Sequence, residues 1–372
     1  MIDIDLLVEK NEIKSFISKV VNSKIISIDI EFMRRNTFFP EPCVIQISDG
    51  SNHGCIDLTL QLSYKNIFKE IFNTNKIIVL HSCRQDLEIL YMILGYIPKN
   101  IFDTQFAASF LGYKYQIGYA ELMKEVYGVI IDKTEKMTNW KKRPLSKEQI
   151  NYAVNDVIHL NKLYEDLNEE LLKTKKSKYF KEEFANFIND IEWNPKTDEA
   201  WKRIKSINNL NKNVKNIVKI ISVWRERQAI NRDIPRNWIM SEKEIIEISK
   251  DFIINKKVSL PKNNKYFDYD VGQLEIQNVI DKLYANKIFD KDDGEKTKIN
   301  SYYKKIANDL YDYYKLISLE NNISYQILSP KKMIFSYLKN KDSNSRLING
   351  WRKELIDIKK ISSITQPYFN LE

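Results

Sequence analysis

The stretch Ile25-Ile26-Ser27-Ile28-Asp29-Ile30-Glu31 decides how the chain is read. Its apolar, β-branched beginning has the composition of a buried strand. Side chains alternate across a strand, so Asp29 and Glu31 share one side, two positions apart. Acidic residues are depleted in strands, and a buried carboxylate is costly without a partner. Two on one face of a core-like strand call for a cation, and a hard divalent ion such as Mg²⁺ prefers carboxylate oxygens. A strand end fraying into a solvated loop is the competing reading.

Around this strand the pattern is that of an α/β domain with a mixed sheet. Leu6, Leu7, Ile13, Phe16, Ile17 and Val20 recur at helical spacing and predict a helix over 5–21. Phe38-Phe39-Pro40-Glu41-Pro42 breaks the chain. Cys43–Ile47 and Gly54–Leu58 flank Asp49-Gly50 and read as consecutive antiparallel strands. A helix over 62–73, a strand over 76–80 and a helix opening near Asp86 and stopped by Gly95 and Pro98 follow. Residues 103–127 read as two short helices and 128–145 as a loop. Ser146 and Gln149 form a capping box that opens a long helix, ended by the basic tract 173–178.

Trp193-Asn194-Pro195 marks a boundary, beyond which the pattern is helical over 198–206, 211–229, 241–250 and 272–287. The polar stretch 288–300, with Asp292-Asp293-Gly294, marks another, before helices over 300–319, 328–340 and 345–360. The expected domains are 1–190, 191–289 and 290–372.

Net charge is +9 over 372 residues, unevenly placed. Residues 1–190 carry 25 basic against 26 acidic side chains, so the basic excess lies entirely in the helical half. A basic half suits a polyanion such as nucleic acid, and equally follows from a chain rich in lysine throughout. No stretch approaches 18 apolar residues and the N-terminus has no basic, signal-like region, so a cytoplasmic protein without a membrane span is expected. Cys43, Cys55 and Cys83 fit neither a zinc site nor a redox pair and read as buried thiols. No glycine-rich nucleotide loop is present, so no organic cofactor or ATP use is expected.

Two further carboxylates extend the Asp29–Glu31 pair. Asp86 opens a helix directly after an apolar strand, where ligands bind in open α/β folds. A helix-start carboxylate favoured by the dipole is the alternative. Tyr152 and Asp156 lie four apart on one face of the long helix, a partly inward one with Ala153 and Leu160, unless they are a surface pair.

Asp29-x-Glu31, Asp86 and Tyr152-x-x-x-Asp156, in this order, resemble the DEDD exonuclease superfamily in its tyrosine-bearing branch, with the ribonuclease D family the nearer likeness. The flanking strings Val44-Ile45-Gln46, His81–Leu87, Phe102–Gln105, Tyr119–Lys133 (with Gly128 and Asp132-Lys133) and Trp140–Leu145 carry the same resemblance over 25–170. The histidine-bearing branch would need His at 151, where Asn stands. Ala200–Lys205, Val223–Arg227 and Arg232–Asn237 look like an HRDC domain, and a second, diverged copy is implied at 290–372.

The resemblance implies a ribonuclease H-like exonuclease domain followed by all-α domains. It implies a 3′→5′ exoribonuclease that releases 5′-mononucleotides, with tRNA precursors as substrates and a monomer as the working form. Two divalent ions, Mg²⁺ or Mn²⁺, about 3.5–4 Å apart would stabilise the attacking and leaving oxygens of an in-line displacement. Asp29 would bridge them, Glu31 and Asp156 would complete the first, Asp86 would hold the second, and Tyr152 would orient the water. Phe32, Lys141, Lys142, Arg143, Trp224 and Arg225 are the candidate contacts to the polymer. A DNA exonuclease of the Werner type and an inactive nucleic-acid-binding scaffold are the other readings.

Overall fold

The computed structural model describes residues 4–73, 75–131, 134–260, 265–285, 301–340 and 342–369. Asp132-Lys133 and the stretch 288–300 lie outside the described residues. The chain forms two compact units. One comprises the chain to Phe32, Pro42–Ile191 and the helices from Ser301 onward; the other comprises Met33–Glu41 and the helices between Glu192 and Ala285.

The first unit is built on β1 (Leu6–Leu7), α1 (Lys10–Val20), β2 (Ile25–Met33), β3 (Glu41–Ser48), β4 (His53–Asp57), α2 (Tyr64–Phe72), β5 (Ile77–Leu80), α3 (Arg84–Leu94), β6 (Ile101–Asp103) and α4 (Thr104–Phe110). It continues through α5 (Tyr119–Tyr127), α6 (Lys147–Ile158), α7 (Leu160–Lys173) and α8 (Ser177–Asn189). The six strands lie in the order β1-β4-β3-β2-β5-β6. β3 and β4 are antiparallel, whereas β1 with β4, β2 with β5 and β5 with β6 run parallel. The expected mixed sheet is therefore present, with β2 central.

Local differences from the sequence reading have local causes. The helix expected over 5–21 begins only at Lys10, because Glu9 and Glu12 form a capping box. Leu6 and Leu7 are left to pair with Cys55 and Ile56 at the sheet edge. The expected capping box at Ser146 and Gln149 forms, with Ser146 Oγ accepting from the Gln149 amide at 3.2 Å. The long helix it opens is divided at His159 into α6 and α7.

The last helices of this unit are α13 (Ser301–Glu320), α14 (Tyr325–Leu328), α15 (Lys331–Asn340) and α16 (Ile358–Phe369). They do not stand apart from the sheet unit. Trp351 and Arg352 are buried, and Arg352 forms a bidentate pair with Glu183 of α8 at 2.7 and 2.8 Å. The Trp351 ring lies 5.3 Å from Phe110, and the Ser324 amide donates to the Ser109 carbonyl at 2.8 Å. Burying an aromatic ring and satisfying a buried guanidinium ties this segment to α4 and α8.

The second unit contains α9 (Lys212–Arg232), α10 (Arg236–Ile239), α11 (Glu242–Asn255) and α12 (Tyr269–Ala285). Met33–Glu41, which leaves β2 two residues after Glu31, is part of it. Phe38 sits in its apolar core. Asp233 accepts the amides of Phe38 and Phe39 at 3.0 and 2.9 Å, and the Arg236 guanidinium lies 4.3 Å over the Phe38 ring. The chain break expected at Phe38–Pro42 is thus an anchored segment.

Candidate active site

β2 delivers Asp29 and Glu31 to the face covered by α6 and α7. Ser27, on the same side of the strand, hydrogen-bonds through Oγ to Asn161 of α7. α6 adds Asp156, and one oxygen from each of Asp29, Glu31 and Asp156 lies within 4.8 Å of the others. Tyr152, one turn earlier, hydrogen-bonds Asp156. Burial, then Asp156, Glu31 and Asp29, push the Tyr152 hydroxyl well above its ordinary pKa.

Asp86 enters from α3. It is 7% exposed. Burial and then the Asp29 charge hold its carboxyl well above the usual range, partly offset by backbone N–H groups including that of Ile30. A frame of hydrogen bonds aims this helix start. Asp103 accepts the amides of Ser82, Cys83, Gln105 and Phe106 at 3.1, 2.8, 2.8 and 3.1 Å, tying the starts of α3 and α4 to one carboxylate. His81 joins Thr104 Oγ1 at 2.9 Å and the Ile117 carbonyl at 3.0 Å. Apart from Asp86 itself, the residues of His81–Leu87 and Phe102–Gln105 carry no assigned role in the sequence; in the structure they tie down the start of the helix that carries Asp86.

β2 and α6 thus bring Asp29, Glu31 and Asp156 together with Tyr152, while Asp86 on α3 lies outside that group of three and within electrostatic reach of Asp29. All the donors are oxygens, and the acids repel one another. That arrangement fits a hard divalent cation, which favours carboxylate ligands and removes the repulsion. Tyr119 is an addition that spacing does not reveal. Its ring lies 5.5 Å from His81, and burial, Asp156 and Asp29 raise its hydroxyl pKa.

Three of the expected polymer contacts are corrected. Arg143 is committed to the fold: it forks onto Asp57 at 2.5 and 2.6 Å and donates to the carbonyls of Trp140, Lys142 and Cys43. Trp224 is 9% exposed, donates Nε1–H to Glu275 at 2.7 Å and meets Phe267 edge-on. Arg225 is 2% exposed and donates to the Met240 carbonyl at 3.1 Å. Both belong to the core of the helical unit, because α9 is apolar on the sides that carry them. Lys141 and Lys142 are exposed, and Phe32 is half-buried at the end of β2, where strand alternation sets it opposite Glu31.

The helical unit offers a different surface. The half-buried Trp201 ring has Lys219, Lys215 and Lys202 ammonium groups 4.7, 5.7 and 5.9 Å from its centre. Spacing does not reveal this cluster, because Trp201 precedes α9 and the two partners Lys215 and Lys219 lie on it.

Comparisons with known proteins agree with this geometry. A family model described as 3′-5′ exonuclease matches residues 7–172. Ribonuclease D of Bartonella henselae is 29% identical over 94% of this chain and 87% of its own length. Ribonuclease D of Sphingobium indicum is 33% identical over 66% of this chain and 63% of its own length. The crystal structure of Escherichia coli RNase D shares the fold, with a TM-score of 0.85 at 22% identity over 99% of this chain and 100% of that one. Among the described residues no helix is long and apolar enough to cross a membrane. The exonuclease match ends at residue 172 and the Bartonella likeness continues across the helical half, so the chain is similar to ribonuclease D in both its exonuclease and its helical parts.

Proposed function

We propose that the chain trims 3′ extensions from structured RNA, tRNA precursors among them, as a monomer, at the site formed by Asp29, Glu31, Asp86, Tyr152 and Asp156. The observation that carries this reading is the convergence of Asp29, Glu31 and Asp156 oxygens within 4.8 Å, with Tyr152 bonded to Asp156. Asp29, Glu31, Asp86 and Asp156 would hold two divalent ions, Mg²⁺ or Mn²⁺. Bound there, the ions supply the charge that activates water and stabilises the departing 3′ oxygen.

The residues of the chain do the rest. Tyr152, its hydroxyl bonded to Asp156, stands beside the carboxylates to position the attacking water against the phosphodiester. The Asp103 and His81 bonds keep Asp86 in place, so little reorganisation is needed when RNA arrives. Lys141 and Lys142, exposed at the surface, would contact backbone phosphates.

The helices over 191–289 act in this reading as an HRDC-type module that grips RNA. The lysines around Trp201 suit phosphates, and the indole suits an unpaired base. Purified protein offered 5′-labelled, 3′-extended tRNA and single-stranded DNA, with Mg²⁺ or EDTA, tests the proposal. RNA should shorten stepwise from its 3′ end only with metal. Faster digestion of DNA, or no shortening across several divalent metals, would sink it.

A further inference from the structure

Gln46, in the middle of β3, is fully buried, and among the described residues neither Oε1 nor Nε2 meets a hydrogen-bonding partner. A buried amide left this way is costly, and most such groups are satisfied. Its place in the sheet explains what it is for. β3 lies between β4 and β2. Gln46 stands opposite Cys55, so the two side chains share a face. The neighbouring Gly54 faces the other way, against Phe16 of α1, where a Cβ would come within 2.7 Å of the ring. Gln46 and Cys55 therefore face the α6 side, as Ser27, Asp29 and Glu31 do.

The electrostatics agree. Burial raises the Cys55 thiol pKa, and Asp29 and Glu31 raise it further. Those carboxylates reach Cys55 only across β3, and the β3 residue in that row is Gln46. A carboxamide thus lies on the strand next to β2, on the face that carries Asp29 and Glu31.

We infer that Gln46 is a positioning residue for the metal ligands: its amide is reserved for the carboxylates of β2 in their cation-holding arrangement. Ligating carboxylates are themselves fixed by hydrogen bonds from groups that do not touch the ion. An Nε2–H donor serves an outer carboxylate oxygen without adding charge, where a lysine would compete with the cation. The amide stays unanswered while the acids repel one another, and is satisfied when a cation draws them together. Local destabilisation of the metal-free protein is thereby exchanged for metal affinity. The inference rests on the reading of Asp29, Glu31 and Asp156 as metal ligands.

Gln46→Met tests it in the full chain, since methionine keeps length and flexibility and removes both polar atoms. Gln46→Leu is the second variant should the first fold poorly. Two quantities are read: the melting temperature in EDTA, and the Mn²⁺ dissociation constant from the free-ion signal in electron paramagnetic resonance. The variant should melt no lower than the parent in EDTA, yet bind Mn²⁺ at least about tenfold more weakly. Unchanged Mn²⁺ affinity would overturn the inference, as would a lower melting temperature in EDTA, which marks an amide that supports the fold alone. Failure of the parent protein to bind Mn²⁺ would instead overturn the metal-site reading beneath it.

Discussion

Arg143→Gln separates a residue that holds the fold from one that holds RNA. Asp57 is 2% exposed and Arg143 25%, and the guanidinium meets both carboxylate oxygens. Breaking a buried ion pair by removing one partner costs about 3–5 kcal/mol. Two features set the lower end of that range. Thr59 keeps its amide and hydroxyl bonds to Asp57 Oδ1 at 2.8 and 2.7 Å, and Arg143 is a quarter exposed. A loss of about 3 kcal/mol lowers the melting temperature by roughly 6–12 °C in a unit of this size. The loop loosened by the change carries Trp140, whose ring packs 6.0 Å from that of Tyr152, so turnover should fall as well.

The pH dependence gives a second handle. Burial alone would raise the Asp57 pKa, but hydrogen bonds from Arg143 and Thr59 outweigh it, and the carboxyl lies below its ordinary value. A lowered folded-state pKa gives stability that is complete above the unfolded value near 3.9 and is lost as pH falls through the folded one. The gap between parent and variant should therefore be full at pH 7 and shrink below about pH 4. Thermal melts followed by circular dichroism at pH 7, 5 and 3.5 measure it. Equal melting temperatures at pH 7, with a raised KM for RNA, would refute the packing argument and return Arg143 to the polymer.

Other consequences follow from the two units. Asp29→Asn should abolish turnover and still raise the melting temperature in EDTA, by about 1 kcal/mol of stability, because it removes one of several crowded charges; near-normal activity would contradict the site. Lys215→Gln with Lys219→Gln should flatten the dependence of log RNA affinity on log salt by about 1.4, at roughly 0.7 per phosphate contact on single strands. An unchanged slope would mean that the lysines around Trp201 touch no phosphate.

Much of the site was legible because its chemistry leaves marks in sequence. Acids are rare on buried strands, so Asp29 and Glu31 stand out on β2, and four-residue spacing sets Tyr152 and Asp156 on one turn of α6. Asp86 was legible as a carboxylate opening a helix after a strand, but its burial was not, nor was the Asp103 carboxylate, from another segment, that ties down the start of its helix. Three of the expected polymer contacts turned inward for a related reason. Trp224 and Arg225 look like a nucleic-acid motif by composition, but their inward placement on α9 depends on Glu275, Phe267 and Met240, far away in sequence. The same holds for the end of the chain. Helical periodicity revealed α13 and α15, but the helix expected over 345–360 is a 3-10 turn at Gly350–Glu354 with α16 starting only at Ile358, because Trp351 and Arg352 are buried against Phe110 and Glu183.

The central claim is that Asp29, Glu31, Asp86 and Asp156 form a metal centre. Anomalous diffraction from crystals grown with Mn²⁺ tests it most directly. Two peaks about 3.5–4 Å apart, both within ligand distance of Asp29 oxygens, are the expected result. Manganese bound elsewhere, with none at Asp29, would contradict it.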